Sequence, residues 1–149
     1  MKKTAVLFIS HIVTDETLSR YKSLQDGCNA MGYDLFWAID ADSRHRRILP
    51  ESIKPFVFSF GEYQKAFPKM WYLESRLQNM TPCIPFMFNL AHSEYDYVWI
   101  AEFDVCCYGQ WDMFFKQYDL DDASLISNET SFQKYEERPK WKCYRYMPP

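Results

Sequence analysis

Two short apolar runs, Ala5 to Ile9 and Leu35 to Ile39, stand on either side of a stretch whose apolar residues, Leu18, Tyr21, Leu24 and Cys28, recur at helical spacing. Unbroken runs of this length read as strands covered on both faces, and the stretch between them reads as an amphipathic helix. A strand, a helix and a second strand in that order join one sheet through a crossover, so the strands lie parallel. The first strand is expected over Lys3 to Ser10 and the second over Tyr33 to Ile39, ending at Asp40. Thr14 or Asp15 can cap the helix at its start and Gly32 can end it.

Downstream, the charged stretch ADSRHRRILPES leads to a short third strand over Lys54 to Phe60. Glu62 to Met80 reads as helical, with Phe67, Trp71 and Leu73 available to the core and Pro68 near a start or kink. A further helix reaches His92, with Pro82 and Pro85 at its entry and Phe86, Leu90 and Met87 expected on its buried face. After the stretch YDYVWIAEFDV come a turn at Gly109, a short helix from Trp111 to Tyr118 and a last strand over Ala123 to Ser127. The fold class expected is α/β: one domain over residues 1–149 with a mostly parallel sheet flanked by helices.

The run Tyr95 to Val105 departs from an ordinary buried strand, because Glu102 and Asp104 interrupt it where apolar residues should continue. Side chains of a strand alternate faces, so the two carboxylates would share one face while Phe103 turns back into the protein. Their mutual repulsion is most easily offset by a bound cation or a positive partner. Three strands thereby end in polar residues, at Ser10-His11, at Asp40 and at Glu102-Asp104. In an open parallel sheet all three ends face one edge, and ligands sit beyond the carboxyl ends where the strand order reverses.

Composition excludes several classes. With 48% hydrophobic and 19% aromatic residues the chain is not disordered. A net charge of -3 leaves no electrostatic footprint for nucleic acid, and the cluster Arg44, Arg46 and Arg47 is too short to change that. Lys2 and Lys3 precede an apolar run, but His11, Asp15 and Glu16 interrupt it, so the start does not read as a secretory signal. No stretch reads as a transmembrane segment. The cysteines at 28, 83, 106, 107 and 143 lack the spacing of a zinc site and read as free thiols of a cytoplasmic protein.

The triplet Glu102-Phe103-Asp104 at a strand end, followed by the turn Gly109-Gln110-Trp111, resembles the nucleotide-sugar-binding half of GT-A fold glycosyltransferases. The longer block YVWIAEFDVCCYGQWDMFF, with SFQKYEERPKW after it, is similar to a bacterial group of that superfamily. The resemblance is best from Tyr95 to Trp141. It implies a divalent metal, Mn2+ or Mg2+, held by Asp104 and bridging to the diphosphate of a nucleotide sugar, a UDP-sugar first. Glu102 would contact the donor ribose, or the metal through water; its place in the triplet is usually an Asp. Ser10 and His11 would lie near the diphosphate or base, and Asp40 near the uracil or ribose. The implied activity is transfer of the sugar to an acceptor that the sequence does not identify, and it identifies neither a catalytic base nor an oligomeric state.

In that superfamily the acceptor half follows the triplet, often with a late histidine on the metal. Here the stretch after Asp104 is short and no histidine follows His92. The chain is therefore read as a compact or shortened member; the other readings are a member whose site another chain completes and a noncatalytic nucleotide-sugar- or partner-binding module. A receiver domain is disfavoured because the first strand ends in Ser10-His11 in place of an acidic pair. A haloacid-dehalogenase-like phosphatase is disfavoured because its Asp-x-Asp lies on the first strand, with the first acid as nucleophile.

Overall fold

The computed structural model describes residues 2–59, 61, 62, 65 and 83–118. Within them the chain is α/β. Strands β1 (Thr4–Ile9), β2 (Asp34–Asp40), β3 (Pro55–Phe58) and β4 (Tyr97–Glu102) form one sheet in the order β3-β2-β1-β4, and every neighbouring pair is parallel. Three helices accompany them: α1 (Asp15–Met31), α2 (Cys83–Ala91) and α3 (Trp111–Tyr118), with a 3-10 turn over Arg44–Ile48. The expected helix over Glu62 to Met80 and the strand over Ala123 to Ser127 lie outside the described residues, apart from a helical start at 61, 62 and 65.

Period-two alternation divides the strands between two cores. Val6, Phe8, Leu35, Trp37, Ile39 and Ala101 turn to one face, where Tyr21, Leu24 and Cys28 of α1 and Phe115 of α3 cover them. Ala5, Leu7, Phe36, Ala38, Phe56 and Phe58 turn to the other, beneath Ile84 and Phe88 of α2. Burial on both faces explains why β1 and β2 read as unbroken apolar runs.

Helix α1 begins where the threonines permit. Thr14 Oγ1 accepts from the Thr17 N–H at 3.2 Å while Thr17 Oγ1 accepts from the Thr14 N–H at 2.9 Å, a capping box with threonine in the place usually held by Glu or Gln. It ends at Gly32, whose φ of 70° is the left-handed conformation that glycine adopts without a Cβ clash. The Tyr33 N–H donates to the Cys28 carbonyl at 2.9 Å and leads the chain into β2.

Two expectations change. In α2, Phe86 and Leu90 are exposed, at 58% and 66%, while Ile84 and Phe88 are buried with Met87 packed beside them. Ile84 and Phe88 are four residues apart and lie on one face, so seating them on Phe36 and Phe56 rotates Phe86 and Leu90 away. The acid-ended strand is also shorter than Tyr95 to Val105. Tyr95 packs before it, its hydroxyl donating to Asp34 Oδ2 at 2.7 Å, and pairing stops after Glu102.

Gly27 allows α1 and α3 to approach. A Cβ there would overlap the Cβ of Trp111 and come within 3.0 Å of the Asp112 nitrogen. Overpacking of this kind costs about 1–3 kcal/mol, against a gain of about 1 kcal/mol from the better helix propensity of alanine. Gly27→Ala is thus expected to lower stability by up to about 2 kcal/mol, read as a fall in the urea midpoint. A rise in that midpoint would mean that α3 yields without loss.

Candidate functional site at the carboxyl ends of β1 and β4

β1 to β2 to β3 steps outward in one direction, and the next strand, β4, returns to the other side of β1. The strand order reverses between β1 and β4, and the crevice beyond their carboxyl ends is where sheets of this kind take ligands. Ile9 and Glu102 are register partners across it.

Backbone bonds fix this edge. The Phe103 N–H donates to the Ile9 carbonyl at 3.0 Å, extending the β1–β4 ladder by one residue, and the Ser10 N–H donates to the Ala38 carbonyl at 3.3 Å. Ser10 is buried, and its Oγ donates to the Ile12 carbonyl at 2.7 Å and accepts from the Ile12 N–H at 3.3 Å. Its carbonyl accepts from Trp37 Nε1 at 3.2 Å. Ser10 therefore shapes the turn that ends β1, with its hydroxyl occupied by its own loop.

His11 is exposed and sets its ring edge-on to Phe103, with ring centres 5.6 Å apart. Its carbonyl accepts from Ser43 Oγ at 3.0 Å, which fastens the loop after β2 to the loop after β1. Asp40 ends β2 and its Oδ1 accepts from the Asp42 N–H at 2.8 Å, so one carboxylate oxygen shapes the turn towards Ser43. β1 lies between β2 and β4, which separates Asp40 from Glu102 by two strand spacings, about 10 Å. The fold thus brings Ser10, His11 and the acidic triplet to the carboxyl end of the β1–β4 seam and holds Asp40 to one side of it.

The triplet itself is part strand and part turn. Alternation holds through Phe103: its ring packs with the core beneath α1, and Glu102, half-buried, takes the α2 face. Then the Val105 N–H bonds to the Glu102 carbonyl at 2.9 Å, closing a turn that carries Asp104 off the strand into solvent. Asp104 therefore does not share a strand face with Glu102 as the alternation predicts; Glu102 opens the turn and Asp104 lies within it. Among the described residues neither carboxylate has a hydrogen bond or an ion pair.

Two such carboxylates are oxygen donors of the type that hard divalent cations take. Among the described residues no set of three or more His, Cys, Asp or Glu side chains converges on a metal position. A cation held by Glu102 and Asp104 would share its remaining positions with ligand or water oxygens.

Sequence reasoning missed Arg20. Its Nη1 donates to the Phe103 carbonyl at 2.9 Å and its Nη2 pairs with Glu16 Oε1 at 2.6 Å. In the sequence Glu16 and Arg20 look like an ordinary i, i+4 surface pair, and nothing local reveals the carbonyl 83 residues away.

No protein-family model matches this chain, and comparison with curated proteins and with solved structures gives no match either. Among the described residues no helix is long and apolar enough to cross a membrane.

Proposed function

We propose that the chain is a GT-A-like glycosyltransferase that holds a nucleotide-diphosphate sugar, a UDP-sugar first, at the β1/β4 crevice through Mn2+ or Mg2+, and transfers the sugar to an acceptor. The observation that carries this reading is the acidic triplet ending β4 directly beside the end of β1, at the reversal of strand order. A hard cation at the diphosphate supplies Lewis-acid stabilisation of the charge that develops on the leaving group. The chain's own part is to orient. Asp104 offers its carboxylate from an exposed turn, and Glu102 offers a second from the strand end. His11 lies with its ring against Phe103, next to the triplet, and Asp40 ends the strand beyond β1, the side towards which a nucleoside would extend from a diphosphate held at β4.

Calorimetric titration of UDP in the presence of Mn2+ tests the assignment. Wild-type protein is expected to bind with a clear dependence on the metal. Asp104→Ala is expected to weaken binding about a hundredfold, close to 2.7 kcal/mol. Binding that ignores the metal, or survives the substitution, would remove the site from consideration. Release of free sugar from a UDP-sugar separates a transferase from a module that only holds its ligand: the transferase turns over slowly in water, the module does not.

A further inference from the structure

We propose that Arg20 is a positioning residue for the acidic turn, a role that gains its functional meaning from the ligand site proposed above. Phe103 is the residue that separates Glu102 from Asp104, and every part of it is held. Its N–H is bonded to Ile9 of β1, its ring is packed on the core and against His11, and its carbonyl accepts from Arg20 at 2.9 Å. The first two contacts belong to the sheet and the core. The third comes from α1, and it determines how the peptide plane between Phe103 and Asp104 is turned.

The geometry suits arginine in particular. A guanidinium offers several N–H groups in a rigid fork, and here one arm reaches the carbonyl while another is oriented by Glu16, one helical turn earlier. The Arg20 side chain is 30% exposed and Glu16 is 73% exposed, so the carbonyl end of the pair lies inwards and the acid end in water. Orientation of the peptide plane sets the direction in which Asp104 leaves the strand, and the bond that closes the turn, from Val105 N–H to the Glu102 carbonyl, depends on the same plane. Groups that orient metal-binding side chains without touching the metal commonly change metal affinity by about 10–100-fold when removed.

The experiment has two readouts on the full chain. Amide hydrogen exchange at Val105 reports the turn without any ligand, and calorimetry with Mn2+ and UDP reports the site. Arg20→Ala is expected to speed Val105 exchange about tenfold and to weaken metal-dependent UDP binding about tenfold, with the thermal midpoint almost unmoved. Arg20→Lys, whose single ammonium nitrogen cannot set separate arms on the carbonyl and on Glu16, is expected to recover part of both. Unchanged Val105 exchange in Arg20→Ala overturns the proposal, as does a loss of binding that only follows a fall in global stability. If wild-type protein shows no metal-dependent UDP binding while Val105 exchange still responds to Arg20→Ala, the positioning role stands and the nucleotide-sugar reading falls.

Discussion

Replacing Trp37 with alanine is expected to lower the stability of the protein by about 3–5 kcal/mol. Trp37 is completely buried at the centre of β2, with its ring 4.9 Å from that of Phe8 and 5.3 Å from that of Tyr21. Removing the indole deletes its apolar contacts and leaves a cavity between sheet and helix that neighbours held by the β-ladder fill only in part. It also takes the Nε1 donor from the Ser10 carbonyl, which lies equally deep. For a domain of ordinary stability, about 5–15 kcal/mol, the loss is a large share of the total. Trp37→Phe separates the two contributions: it keeps most of the apolar volume and loses the hydrogen bond, and should cost about 1–3 kcal/mol. Urea denaturation of both variants checks the ranking. Equal midpoints for the two variants would show that the indole N–H, and not the volume, carries the effect.

Raising the pH is expected to destabilise the protein steeply above about pH 9. Burial pushes the Cys28 thiol from its ordinary 9.0 up to about 12. Burial first, and then the neighbouring Cys28 thiolate, pushes the Tyr21 hydroxyl from 10.0 to about 12. Both groups are neutral when protonated, and the folded state keeps their protons at a pH where the unfolded chain has released them. The unfolded state therefore binds fewer protons, and stability falls as pH rises. The contribution is fully present below pH 9, declines first through Cys28 and then through Tyr21, and is gone once pH passes about 12. Each unit of separation is worth about 1.4 kcal/mol per group, so the combined effect is on the order of several kcal/mol, short of additive because the two groups interact. Urea midpoints at pH 8 and pH 10.5 measure it. Cys28→Ala should move the onset up by about one pH unit, towards the tyrosine value. A midpoint that stays level to pH 11 would mean that Cys28 and Tyr21 are less sheltered than the core packing indicates.

The parallel core was legible because its signals are local. Apolar runs with no polar break mark β1 and β2, Thr14 and Gly32 mark the ends of α1, and Tyr21, Leu24 and Cys28 mark its inner face. The face of α2 was not legible in this way. Its sequence, CIPFMFNLA, is apolar nearly all round, so periodicity does not separate Ile84 and Phe88 from Phe86 and Leu90; only the position of Phe36 and Phe56 below decides. At the site, the sequence marks Ser10, His11, Asp40, Glu102 and Asp104 as polar residues at strand ends, and the strand order sets the first two beside the triplet. It does not reveal that the strand stops at Glu102, because a turn closed by the Val105 N–H leaves no compositional trace among VWIAEFDV. Nor does it reveal Arg20 or Ser43, which act through backbone carbonyls of residues distant in the chain.

The position of β1 at the reversal of strand order has a consequence for assembly of the crevice. β1 meets β2 through residues 29 apart, Ala5 with Asp34, but meets β4 through residues 93 apart, Thr4 with Tyr97. Loop closure costs free energy in proportion to the logarithm of the length enclosed, so the β1–β4 seam costs about 1 kcal/mol more to close than the β1–β2 seam. The junction that bears the acidic turn is thus the one of the three seams that chain entropy opposes most, and its closure rests on the ladder from Thr4–Tyr97 to Ile9–Glu102, which Phe103 extends through its bonds to β1 and to α1.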